Sequence, residues 1–193
     1  MEVQKLLETL HIAERLKDVP RHCTTSQGRT EDVAEHSWRI ALMAYFVHDE
    51  FPEVDINKVI RMCLIHDLGE AFTGDIPTFR KTEADEQHEE DVLFSWVAQL
   101  PEPYASEMRA LYTEMAALET PEAKLYKALD KLEAVIQHNE APISTWLPRE
   151  YALNLTYADE NVAFSPYLTA LREAVRDETK AKIAAHGGIP AAE

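Results

Sequence analysis

Apolar residues recur at spacings of three and four, and only five glycines interrupt 193 residues, a pattern that restricts this chain to helices joined by short turns. The expected fold class is all-α. A first helix is predicted over about Val3 to Leu16, after which Pro20 opens a polar loop, RHCTTSQGRTED. From Asp32 a second helix carries Val33, Ile40, Leu42, Met43, Phe46 and Val47 on a broad apolar stripe and should be mostly buried. Asp55 is placed to cap INKVIRMCLIHDLGEAF, where Ile56, Val59, Ile60, Cys63 and Leu64 turn inward and Gly69 loosens the end. Thr82 opens an acidic helix with a Thr-x-x-Asp capping pattern that continues to Pro101, and another helix covers about Tyr104 to Leu118. Thr120 and Pro121 start TPEAKLYKALDKLEAVIQHNE, with Leu125, Ala128, Leu129, Leu132, Val135 and Ile136 as core. After a looser stretch with Pro142, Trp146 and Pro148, Ser165 and Pro166 begin a last helix of about residues 166–186, ended by Gly187 and Gly188.

Hydrophobic residues make up 46% of the chain, enough for one sizeable core, so residues 1–193 are expected to form one compact domain. Nineteen Lys and Arg against thirty-five Asp and Glu give a formal charge of −16, which opposes binding to duplex nucleic acid or an anionic membrane. A small phosphate ester could still enter a locally positive pocket. No apolar run approaches the roughly 20 residues that span a bilayer, and MEVQKLLETL is amphipathic and acidic, unlike a signal peptide. A cytoplasmic location is expected. The two cysteines, Cys23 and Cys63, form no CxxC pair and read as free thiols.

The stretch CLIHDLGEAFTGDIPT puts His66, Asp67, Glu70 and Asp75 at the end of an apolar segment. Burying an unpaired carboxylate costs several kcal/mol, so Asp67, and Asp130 inside a later apolar pattern, need a partner or a cation. Neighbours on a helix point about 100° apart, so His66 and Asp67 can share one ion only near a helix end, with other helices supplying further ligands. His36 and Asp130 are the two available. Two imidazoles and two carboxylates suit Mn, Co, Fe, Zn or Ni, whereas Mg prefers oxygen alone. An HD dipeptide by itself occurs by chance, and a lone histidine on an apolar face is more often simply core; the histidines at 11, 22, 48, 88, 138 and 186 mostly fit that description.

The spacing of AEHS around His36, of His66-Asp67 and of DKLE from Asp130 resembles the HD-domain metal-dependent phosphohydrolases, over nearly the whole chain. HDLGEAFTGDIPT is similar to the HDxxExxxGDxPT segment of the YfbR-type 5'-deoxynucleotidases and their HDDC-type relatives. Arg21 lies fifteen positions before His36, as the phosphate-contacting arginine does there. The resemblance implies an HD-domain helical bundle with its metal-binding core at about residues 21–140, a divalent metal (Mn, Co, Mg, Fe, Zn or Ni) held by His36, His66, Asp67 and Asp130, and Glu70 as catalytic carboxylate. It implies that Arg21 orients the phosphate, with Asp67 also facing it, and that His22, Asp75, Ile76, Pro77 and Thr78 shape the nucleoside side. In the HDDC-type relatives the matches of Glu70 and Asp75 are associated with a second metal. His22 departs from the pattern, which has a tryptophan there that crowds the sugar's 2' position, so an imidazole could admit a ribose.

Without the resemblance, Arg21 reads as a loop charge, Glu70 as a helix-end carboxylate and Asp75 as a turn former beside Gly74 and Pro77. With it, the expected activity is metal-dependent hydrolysis of (deoxy)ribonucleoside 5'-monophosphates to nucleoside and phosphate. The competing expectations are an HD phosphohydrolase for another small phosphomonoester or a phosphodiester, and an idle nucleotide-sensing protein that keeps its metal. No GYP motif follows the HD and no synthetase domain is attached, which argues against cyclic-dinucleotide and alarmone hydrolysis. A homodimer is implied by the resemblance; Trp96, Tyr104 and Tyr112 lie on amphipathic helices that either an interface or the core could use.

Overall fold

Residue 121 begins a twenty-residue helix whose inner face, Leu125, Ala128, Leu129, Leu132 and Val135, is sealed from solvent, and the rest of the chain is arranged around it. The computed structural model describes residues 1–189. In chain order its elements are α1 (Val3–Glu14), β1 (Pro20–Thr24), β2 (Thr30–Asp32), α2 (Val33–Phe46), α3 (Ile56–Ile65), α4 (Glu70–Thr73), α5 (Glu83–Val97), α6 (Tyr104–Ala117), α7 (Pro121–Glu140), α8 (Pro148–Leu153), α9 (Asp159–Val162) and α10 (Pro166–Ala185). Helices α2, α3, α6 and α10 pack on α7, and α2 also packs along α3. The helix starts follow the expected capping chemistry. Thr120 accepts from Ala123 N–H at 3.2 Å with Pro121 at the first helical position, and Ser165, Asp55 and Thr82 make the equivalent bonds.

Two segments depart from the sequence reading. The loop expected after Pro20 is a short antiparallel hairpin, pairing Pro20 with Asp32 and Thr24 with Thr30 and turning through Gly28 at φ +83. Strands this short leave no periodicity to read. The helix expected to run through Gly69 instead stops at Ile65, and bonds from Leu68 N–H to Ile65 O and Glu70 N–H to Asp67 O tighten the chain into successive i→i+3 turns before α4. Gly69 is needed here for space: a Cβ would sit 2.8 Å from Cγ of Glu89 on α5. The tightened turn carries His66 and Asp67 off the regular helix at the point where α2 and α7 converge.

The far end of the chain is latched by one buried cation. Arg172 on α10, 1% exposed, donates from Nε to Tyr157 O at 2.7 Å and from Nη2 to Asn154 O at 2.9 Å, and lies 3.0 Å from Asp159. Two apolar stripes face outward instead. On α1 no residue is buried, and Val3, Leu6, Leu7 and Leu10 are exposed; on α2 Trp38, Leu42, Tyr45 and Phe46 are exposed. Leu42 and Phe46, expected to face the core, thus face outward, as does Leu64 on α3, because the apolar pattern runs further round these helices than their packed face. Tyr112 is buried and Trp96 packs against the core, so core packing accounts for both, while Tyr104 stays exposed.

Candidate active site

His36 stands on α2 with no solvent exposure and turns Nε2 toward α7, 3.3 Å from Oδ1 of Asp130. His66 leaves the end of α3 with Nε2 2.9 Å from Oδ2 of Asp67 and 3.9 Å from Oδ1 of Asp130. The two imidazole rings are 5.3 Å apart, and ligand atoms of His36, His66 and Asp67 all lie within 4.8 Å of one another. Of the four side chains expected as metal ligands, His36, His66 and Asp67 form one mutually close set, and Asp130 borders it through the two imidazoles.

The second nitrogen of each imidazole is already committed. Nδ1 of His66 donates to the Cys63 carbonyl at 2.9 Å, since a carbonyl can only accept, and Nε2 is the nitrogen turned to the site. Nδ1 of His36 faces Oε2 of Glu133 at 2.5 Å, with both side chains fully buried. Nε2 of His66 is buried without an aligned hydrogen-bond partner, although the Asp67 oxygen is near. A ring nitrogen without an aligned partner among carboxylates, on a ring oriented through its other nitrogen, fits a divalent cation. The donor set of nitrogen and oxygen suits the transition metals expected from the sequence.

Charge is distributed unevenly around this point. Burial acts to raise Asp67, but His66, His36 and Arg21 outweigh it and hold the carboxyl well below the usual range. Burial likewise opposes Asp130, and Lys127, 2.8 Å away, leads the groups that keep it ionised. Glu70 behaves oppositely: it is 5% exposed, Oε2 has no partner, and burial together with Asp67 and Asp75 pushes it up to about 10. Arg21 comes in from β1, with Nε donating to Glu31 Oε2 at 3.2 Å and Nη1 3.5 Å from Asp67.

A cleft of about 240 Å³ opens over Asp67 and Asp130, and Arg21, Glu70, His22 and residues 75–78 all line it. Burial pushes the Asp75 carboxyl up, opposed by Arg21 and the nearby backbone N–H of His22. The His22 ring stands edge-on to Phe79 at 5.4 Å, with Nε2 2.8 Å from Glu150 Oε1. Glu150, 2% exposed, also meets His138 Nε2 at 3.2 Å and the Leu147 N–H at 2.6 Å. The sequence reading gave no role to Glu31, Glu133, Lys127, His138 or Glu150. Glu133 was within reach, one turn beyond Asp130 in DKLE, and so was Lys127 one turn before it; nothing local marks Glu31 or Glu150.

An HD-domain family model matches residues 13–172. The human 5'-deoxynucleotidase HDDC2 is 31% identical over 141 residues, 71% of this chain and 68% of that protein. The Dictyostelium discoideum 5'-deoxynucleotidase HDDC2 is 30% identical over 144 residues, 69% of this chain and 76% of that one. Among solved structures, a predicted metal-dependent phosphohydrolase from Magnetospirillum magnetotacticum superposes with a TM-score of 0.78 at 30% identity, covering 93% of this chain and 96% of the other.

Proposed function

The chain belongs to the HD-domain family, and from that premise we propose that it is a metal-dependent 5'-nucleotidase, a 5'-deoxynucleotidase in the manner of its relatives, that cleaves nucleoside 5'-monophosphates to nucleoside and phosphate. The observation that carries this reading is the pair of imidazoles, each fixed through Nδ1, that aim Nε2 at Asp67 and Asp130 beside the Arg21 guanidinium. His36, His66, Asp67 and Asp130 would hold the cation. A divalent ion there supplies Lewis acidity toward a phosphoryl oxygen and makes water a competent nucleophile near neutral pH.

The remaining roles fall to side chains along the cleft. Arg21 offers planar N–H donors to the phosphate oxygens, so local positive charge outweighs the acidic net charge of the protein. Water attacks phosphorus, the bond to O5' breaks, and the departing alkoxide needs a proton. Glu70, whose burial and acidic neighbours favour its protonated form, is suited to supply that proton and to recover one from the attacking water. Asp75, Ile76, Pro77, Thr78 and His22 would bound the nucleoside.

The same reading treats the whole chain as one HD domain, supported by a core that is continuous from Leu16 to Leu168. Free, buried Cys23 and Cys63 suit a reducing cytoplasm, and no helix among the described residues is long and apolar enough to cross a membrane. A homodimer is supported by the outward stripes of α1 and α2, since apolar faces of that kind mark interaction surfaces. The deciding experiment measures phosphate release from deoxy- and ribonucleoside 5'-monophosphates after adding Mn, Co or Mg to metal-stripped protein. Release from these substrates is expected; none with any metal, from protein that folds and binds metal normally, would overturn the nucleotidase reading and leave its two alternatives, a hydrolase for another phosphoester and a nucleotide sensor.

A further inference from the structure

Arg21 lies between two carboxylates that differ in kind. Asp67, 3.5 Å from Nη1, belongs to the metal constellation. Glu31, which accepts from Nε at 3.2 Å, makes no contact within the cleft, is 2% exposed, and sits on β2 one residue in from the Pro20–Asp32 pair, as Arg21 does on β1. The hairpin thus presents a guanidinium and a carboxylate as cross-strand neighbours, with Arg21 lining the cleft and Glu31 behind it.

We infer that Glu31 is the positioning residue for Arg21: by taking the Nε–H from behind, it holds the guanidinium plane so that its Nη edge faces the phosphate seat above Asp67 and Asp130. A guanidinium has five N–H donors in one plane, and engaging Nε fixes that plane while leaving the terminal N–H groups for phosphate oxygens. Without Glu31, the strongest remaining partner for the freed side chain is Asp67, and pairing there turns the donors away from the substrate toward a metal-holding carboxylate. A buried carboxylate with no partner is costly, so the pair forms as a unit. The role rests on the reading of Arg21 as the phosphate ligand.

Glu31 also lies within 4.8 Å of ligand atoms on His36 and Glu133, so a route through the metal ligand has to be separated from a route through Arg21. A double-mutant cycle does this, because residues acting through one another give non-additive effects. Glu31→Gln, Arg21→Ala and the double variant are compared in Mn-loaded protein for KM and kcat on a deoxynucleoside 5'-monophosphate, and for calorimetric affinity toward inorganic phosphate. Glu31→Gln should raise KM and weaken phosphate binding by about tenfold or more, with bound metal unchanged, as expected for losing one charge-assisted anchor. Added to Arg21→Ala, it should change neither quantity further. An equal loss in both backgrounds, or unaltered phosphate affinity in the single variant, would overturn the assignment. Should Glu31→Gln not fold, Glu31→Asp, which keeps the charge but shortens the reach, goes through the same cycle with the same two outcomes. Wild-type protein that hydrolyses no nucleotide defeats the nucleotidase reading alone, since phosphate calorimetry still reports on Glu31.

Discussion

His36 and Glu133 meet at 2.5 Å through Nδ1 and Oε2, both wholly out of solvent, so the carboxylate fixes which nitrogen of His36 is left facing Asp130. Partners of this kind orient a metal-binding imidazole and raise its basicity. Glu133→Gln should therefore lower affinity for Mn or Co by roughly 10–100-fold, measured by competition with a chelator, without touching the metal itself. Affinity equal to wild type would mean that His36 is held by packing alone.

Glu70 stands outside the four side chains proposed to hold the metal, yet it lines the same cleft with a buried, unpartnered oxygen. Glu70→Ala is expected to retain metal while losing about 10²–10⁴-fold in kcat, the usual worth of a positioned proton-transfer group. Simultaneous loss of metal would instead make Glu70 a ligand.

The His22 ring lines the cleft, with Phe79 edge-on to it and Glu150 at its Nε2. Replacing it by the larger side chain, His22→Trp, should raise the ratio of kcat/KM for deoxyribonucleotides over ribonucleotides. The comparison needs matched bases in the two sugars. An unchanged ratio would show that His22 does not meet the sugar.

Both nitrogens of His138 face acceptors, Ala134 O at 2.8 Å and Glu150 at 3.2 Å; burial opposes the charged ring, but Cys23 and Glu150 outweigh it and lift the group to about 11. Because the folded value lies above the ordinary one near 6.5, the protonated ring stabilises the fold fully below about pH 6.5, and that contribution is lost as pH rises toward about 11. Urea midpoints should fall more steeply between about pH 7 and about pH 10 for wild type than for His138→Gln. Parallel curves would count against a charged His138.

The exposed residues Trp38, Leu42, Tyr45 and Phe46 follow one another along α2 at helical spacing. Light scattering is expected to give twice the chain mass of 22.0 kDa, and the pair Leu42→Lys with Phe46→Glu should reduce it to one. A monomeric wild type would refute the dimer directly.

What could be read in the sequence was what local chemistry dictates. The helix starts at Asp55, Thr82, Thr120 and Ser165 depend on a side chain three residues from its own backbone target, and each was visible as such. His66 and Asp67 stood out because a buried carboxylate demands a partner, and the structure sets His36 and Asp130 beside them. Glu31 and Glu150 escaped notice for the opposite reason. Each is an acidic residue in a chain with thirty-five, and their meaning arises only when a hairpin brings Glu31 to Arg21, or when α8 brings Glu150 to His22 and His138. The hairpin strands are too short to show a period, and the close approach of the Glu89 side chain to Gly69 is visible only in the fold.

Arg172 gives the assembly of this site a direction in time. A ribosome delivers His36, His66, Asp67 and finally Asp130 before it delivers the residue that grips Asn154, Tyr157 and Asp159. Asn154 and Tyr157 also line the cleft, so the last helix to be made fixes part of the cleft wall, and a product cut short of Arg172 would lack the contacts that set it.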